Sequence, residues 1–184
     1  MLILKAQKHV IKNKMTIGGT ILLLAAASAQ AQVTDAAAYY QSSELSFDGF
    51  GTGSDGSYTI DHPSNNRIRH NTQGGAGAGI NYFMSRNIGL GVEAYSENTS
   101  GVFIDNASGN LILRLPLGQS GLAPYIFGGG GHQFDAAKLW FGQAGAGLEY
   151  RFTQHVGIFV DARAVWPNET KYYGVGRAGV RFVF

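Results

Sequence analysis

The residue types of hydroxyl-nucleophile chemistry occur once in close succession, at Asp61-His62-Pro-Ser64, with His70 just beyond. Such chemistry needs an alcohol to attack, an imidazole within hydrogen-bond reach to take its proton, and a group that orients the imidazole. The spacing matches no triad, and the surrounding stretch is polar, so these residues read first as loop. His132 and His155 have no second His at metal-ligand spacing. His132 is expected inside the fold, beside Asp or Glu partners. Cysteine is absent, which excludes a thiolate metal site, a disulfide framework and a lipoprotein anchor. Gly75-Ala-Gly-Ala-Gly79 and Gly128–Gly131 do not complete G-x-G-x-x-G between a strand and a helix. No catalytic residue, metal or cofactor is therefore expected.

A larger set of residues has a different chemistry. Glu44, Asp48, Glu93, Glu97, Arg114, Glu149, Arg151, Asp161, Arg163, Arg177 and Arg181 are six acids and five bases, close to balance as ion pairs. Each lies where apolar residues alternate with small or polar ones, the period of a β-strand. Reading that period along the chain gives eight strands: Ser43–Gly53, His70–Met84, Ile88–Asn98, Asp105–Leu117, Leu122–Phe134, Trp140–Phe152, Val156–Trp166 and Tyr172–Phe184. Their lengths are near or above the roughly 9–11 residues with which a tilted strand crosses a bilayer. Ser85–Asn87, Gly118–Gly121 and Thr153–His155 are short connections, whereas Ser54–Arg69 is expected to be a long loop. Short turns at one end and longer loops at the other suit an outer-membrane barrel with both termini on the periplasmic side.

Strand parity follows from the apolar residues, and all eleven charges then fall on the other face. In Leu122–Phe134, which has no charge, Tyr125 and Phe127 are assigned to the apolar face; in the first strand Phe50 falls on the charged parity. An arginine facing lipid at mid-bilayer costs about 2–4 kcal/mol, so five of them belong in a lumen. Eight strands enclose a space just wide enough for side chains, which predicts an ion-paired, plugged interior. Trp140, Trp166 and Tyr172 cluster at one end of neighbouring strands, with Tyr82, Tyr150, Phe152, Phe182 and Phe184 at the other, as girdles at two water boundaries. For closure, Glu44–Arg181 and Asp48–Arg177 fit one antiparallel register, and Asp161 can reach Arg177.

The first residues read as an address. Lys5, Lys8, Lys12 and Lys14 precede an apolar run from Thr16 to Ala27 and the small-residue sites Ala27-Ser-Ala29 and Ala29-Gln-Ala31. This is the form of a signal peptide, 1–31, leaving 32–184 as the mature domain. Cleavage there leaves 10 of the 14 Lys and Arg but all 12 Asp and Glu, so the mature chain is near −2 and nucleic acid is not an expected partner.

Ala144-Gly-Ala-Gly-Leu-Glu-Tyr-Arg-Phe152, the hairpin after it, and the ending Arg177-Ala-Gly-Val-Arg-Phe-Val-Phe184 resemble small outer-membrane proteins of the OmpA-barrel and OmpX type, a porin-like family. The resemblance spans nearly the whole mature chain as architecture. It implies an all-β, eight-stranded, antiparallel up-and-down transmembrane β-barrel in a Gram-negative outer membrane. Phe184, with Phe182, Val180 and Tyr172, is then similar to the terminal signal read by the barrel-assembly machinery. A monomer is expected, in contact with outer-membrane lipid and with lipopolysaccharide, whose phosphates Arg67, Arg69 and Lys138 could touch. No counterpart of the peptidoglycan-binding domain that follows the OmpA barrel is expected. A structural or surface-interaction role is the leading expectation. Lipid A deacylation or acyl transfer through His62, Ser64 and His70, and a small pore, are the alternatives.

Overall fold

The computed structural model describes residues 39–60, 67–97, 104–134, 138–168 and 172–184. The expected signal segment, 1–31, and Asp61, His62 and Ser64 lie outside the described residues; of Arg67, Arg69 and His70 the backbone alone is described.

Eight strands form: β1 (Glu44–Ile60), β2 (Arg67–Phe83), β3 (Ile88–Ser96), β4 (Asn106–Arg114), β5 (Leu122–Gln133), β6 (Leu139–Arg151), β7 (Val156–Pro167) and β8 (Tyr173–Val183). Each pairs antiparallel with the next, and β8 returns to β1, so the sheet is a closed barrel. Closure leaves no free edge around the barrel wall, while beyond Asp55 and Ala76 the β1–β2 hairpin pairs only with itself. Among the described residues there is no helix. The end carrying the tight turns after β2, β4 and β6 is called the lower end here, and the β1–β2 hairpin rises at the upper end.

The expected loop Ser54–Arg69 is mostly strand. The β1–β2 ladder continues from Ser54↔Gln73 to Ile60↔Arg67. Ser57-Tyr-Thr-Ile60 and Arg67-Ile-Arg69 are β-compatible, and an existing ladder extends readily over them. The lower turn between β4 and β5 uses two glycines with positive φ, Gly118 at 57° and Gly121 at 70°. A Cβ on Gly121 would meet the Arg151 carbonyl at 2.5 Å.

Burial alternates along the strands. The outer face has two tiers. Its lower half carries large exposed side chains, among them Leu45, Phe47, Ile80, Tyr82, Leu90, Val92, Leu111, Leu148, Val160 and Phe182. Above these, up to the exposed rings of Phe134, Trp140, Trp166 and Tyr172, the face is nearly all glycine and alanine: Gly51 and Gly53, Gly74, Ala76 and Ala78, Gly142, Ala144 and Ala146, Gly174, Gly176 and Ala178. A Cβ on Gly142 or Gly174 would meet open space.

The inner face is aromatic as well as charged. Phe50, Phe83, Tyr95, Tyr125, Phe127 and Phe159 are buried together inside the barrel. This overturns the assignment of Tyr125 and Phe127 to the outer apolar face. β5 has no charge to fix its parity, and in a narrow barrel large rings fill the lumen while Ile126 and Pro124 face out. It also accounts for Phe50, which packs edge-on against Phe159 at 6.3 Å between ring centroids. Glycines opposite these rings make the room. Phe83 pairs with Gly89, Tyr125 with Gly147, Phe127 with Gly145 and Phe159 with Gly179. A Cβ on Gly147 would lie 2.5 Å from the Tyr125 ring.

Candidate functional site

Strand alternation sends the charged residues inward, where they gather into two groups. The lower group joins Glu44, Asp48 and Glu149 to Arg114, Arg151 and Arg181. Arg114 Nη1 lies 3.0 Å from Glu44 Oε1, and Arg151 holds both Glu44 and Glu149, donating from Nε to Glu149 Oε1 at 2.7 Å. Arg181 grips Asp48 with a two-pronged fork, Nε to Oδ1 and Nη2 to Oδ2, both 2.7 Å, and donates from Nη1 to Glu149. Asn81 Nδ2 adds a bond to Asp48 Oδ2 at 2.9 Å.

The upper group joins Glu93 and Asp161 to Arg163 and Arg177. Arg177 forks onto Asp161 at 2.9 and 2.7 Å and also donates to Glu93, which Arg163 contacts as well. Tyr125 donates its hydroxyl to Asp161 Oδ2 at 2.7 Å, and Ser108, Gln143 and Asn110 carry the network onward. Between the groups lies a cavity of about 20 Å³ lined by Asp48, Asn81, Glu93, Asn110, Arg177 and Arg181, among others. That is space for about one water molecule.

The guanidinium planes rest on the inner rings. Arg114 lies 3.6 Å from the Phe83 centroid, Arg177 4.7 Å from Phe50, Arg163 4.9 Å from Phe127 and Arg181 5.2 Å from Phe159. Such stacking strengthens when desolvated. The sequence reading missed these rings as part of the site. The available signal was glycine: each ring faces an inward glycine across the ladder.

The closure register differs from the expected one. Asp48 pairs with Arg181, and Arg177 sits opposite Thr52. Glu44 reaches across the lumen to Arg114 and Arg151 instead of along the seam. The seam is set by the backbone bonds between Leu45 and Phe184 and by the outward pair Phe47 and Phe182. A narrow barrel lets an acid choose partners across the lumen, so charge spacing on two strands does not determine their register.

The lower mouth holds a segment that the sequence reading did not single out. Residues 39–43 run inward beneath the lower group and turn into β1 at Ser43, whose φ is 58°. Tyr40 is buried, donates its hydroxyl to the Gly121 carbonyl at 2.7 Å, and lies against Arg151 and Arg114 at 4.3 and 4.5 Å. Burial pushes the Tyr40 hydroxyl well above the usual phenol range, with the Glu149 charge adding to it. Arg151 also donates to the Tyr39 carbonyl.

His132 is not a lumen residue. It has outward parity on β5 and lies 4.9 Å from both Phe134 and Trp140. Trp140, Trp166 and Tyr172 are exposed on adjoining strands at the upper end, the last 73% exposed. At the lower end Tyr82, Tyr150, Phe152, Phe182 and Phe184 are exposed, with Val180 above them on β8. His155 Nδ1 meets the Val183 carbonyl at 3.0 Å near that end. Among the described residues, no three His, Cys, Asp or Glu side chains gather as a metal site.

No protein-family model and no curated protein matches this chain. Its fold does match solved structures. The N-terminal β-barrel domain of Pseudomonas aeruginosa OprF superposes with TM-score 0.59 at 20% identity, covering 78% of this chain and 99% of that one. The outer membrane protein OprG of the same organism gives 0.54 at 13%, covering 82% and 99%. Ail, the attachment invasion locus protein of Yersinia pestis, gives 0.52 at 15%, covering 78% and 99%. At such identities the likeness is one of fold.

Proposed function

We propose that this chain is an outer-membrane barrel protein of a Gram-negative bacterium with a closed, ion-paired lumen, serving a structural or surface-interaction role through its upper loops. The observation that carries this reading is the lumen itself: three acids against three arginines below, two against two above, with a one-water cavity between them. Each group is neutral and internally bonded, so an ion crossing it would have to break several buried pairs. Tyr40 adds a floor beneath. The outer wall, apolar along its length with aromatic rings at both ends, supports placement in lipid. The likeness to OprG, an outer membrane protein, agrees with that placement.

In this reading the partners are outer-membrane lipid, lipopolysaccharide and the barrel-assembly machinery, the last reading Phe184, Phe182 and Val180 on the outward row of β8. The chain acts as a monomer. Two measurements test it together. Fractionation should place the protein in the outer membrane, with a heat-dependent gel shift marking the folded barrel. Planar bilayers containing it should show no stable conductance, and a steady open channel would refute the closed lumen. Lipid A profiles of cells with and without the protein should coincide.

A further inference from the structure

Two buried acids belong to neither lumen group. Glu97 is 5% exposed and Asp105 1% exposed, at the upper ends of β3 and β4. Asp105 Oδ2 accepts the Glu97 amide at 2.7 Å and the Ser96 hydroxyl at 3.2 Å, but Asp105 Oδ1 and Glu97 Oε1 are buried without a hydrogen-bond partner. The guanidinium whose charge acts on Glu97 is that of Arg163, already held by Glu93 and Gln143.

Further oxygens without partners surround this pair. Asn106 Oδ1, Thr52 Oγ1 and the Tyr95 hydroxyl are all buried and unbonded, and Asn106 and Tyr95 are only 3% and 2% exposed. The ladders bring them together. Thr52 pairs with Gly75 on β2, and a Cβ there would run into the Ser96 carbonyl at 1.8 Å. The missing side chain lets Thr52 and Glu97 face each other across β2, with Ser54 beside them. Asn106 stands opposite Tyr95, and the Tyr95 hydroxyl feels the Glu97 charge.

Buried carboxylates without a base are costly, and hydroxyl donors such as Thr52 and Tyr95 leave the Asp105 Oδ1 and Asn106 Oδ1 acceptors unmet. A hard cation resolves both problems. Two carboxylates carry the charge to balance a divalent ion, and an amide oxygen and a hydroxyl complete the kind of mixed oxygen set that calcium accepts at irregular geometry. Magnesium demands a stricter octahedron.

We propose that Glu97, Asp105, Asn106 and Thr52 form a binding site for a divalent cation of calcium's size at the upper end of the barrel. With only two carboxylates its affinity falls in the range of about 10⁻⁴–10⁻³ M found for extracellular calcium modules.

Terbium, a luminescent calcium mimic, tests the proposal. Tyr95 lies beside the site and sensitises it. Refolded, lipopolysaccharide-free protein in detergent should give terbium luminescence on tyrosine excitation, and calcium should displace it at millimolar concentration. Glu97→Gln should reduce the signal at least tenfold while the heat-dependent gel shift shows a folded barrel; Asp105→Asn serves the same purpose if the first variant does not fold. Wild-type protein that gives no calcium-competed signal overturns the site, as does an undiminished signal in folded Glu97→Gln.

Discussion

Replacing Arg181 by Met tests how the interior is held together. Arg181 makes three charged hydrogen bonds, two to Asp48 at 2.7 Å and one to Glu149, and rests on Phe159. Methionine keeps most of the volume and removes the charge. Asp48 keeps Asn81 at 2.9 Å, and Glu149 keeps Arg151 at 2.7 Å. Removing one partner of a buried ion pair costs about 3–5 kcal/mol because the other charge is stranded. With one donor left to each acid, the expected loss is at the low end, about 3 kcal/mol. Arg181→Met/Asp48→Asn removes the stranded charge on the closure seam and should recover more than half of that loss, a coupling within the roughly 0.5–3 kcal/mol seen for contacting residues. Urea unfolding in lipid vesicles, followed by tryptophan fluorescence and the gel shift, measures both. A single variant within about 1 kcal/mol of wild type, or a double variant equal to the sum of its singles, refutes the reasoning.

Other outcomes follow from the same structure. Tyr40→Phe should lose about 1 kcal/mol with the bond to Gly121, while Tyr40→Ala should lose about 2–4 kcal/mol with the stacking as well, and should admit an arginine reagent to Arg114 and Arg151. Gly147→Ala, forced against Tyr125, should cost about 1–3 kcal/mol, whereas Gly142→Ala on the open outer face should stay within about 0.5 kcal/mol; equal effects would contradict the two-sided assignment of the glycines. Val92→Arg, on the outer face of β3, should cost about 2–4 kcal/mol in a bilayer and less in detergent.

Much of the fold was legible because strand period and charge agree. Wherever a strand carried Arg, Asp or Glu, its parity could be read, and boundaries such as those of β6 and β7 fall within a residue or two of the expected ones. Without charge the reading was uneven: β2, uncharged over 70–84, was read correctly from Ile80, Tyr82 and Met84, whereas β5 was not. β5 offered only Tyr125 and Phe127, and hydrophobicity alone does not separate a ring facing lipid from one supporting a guanidinium. The seam register was misread for a related reason: pairing along a ladder competes with pairing across the lumen, which requires knowing which strands face each other. Tyr40 precedes the first strand, so no periodicity marks it. Its role depends on Gly121 and Arg151, which become its neighbours only once the sheet has closed.

The two-tier outer wall has a geometric consequence. Below its upper ring of Trp140, Trp166 and Tyr172, a barrel clothed in Leu, Ile and Phe at the bottom and in nearly bare backbone above is a wedge. Set in a lipid film, it displaces more area from the leaflet at its lower half than from the leaflet at its upper half. Acyl chains in the upper leaflet approach closer to the barrel axis, against a smooth surface that does not interdigitate with them. Many copies in one membrane would add up to a difference in area between the two leaflets, a mechanical effect that depends on the number of molecules and on no ligand.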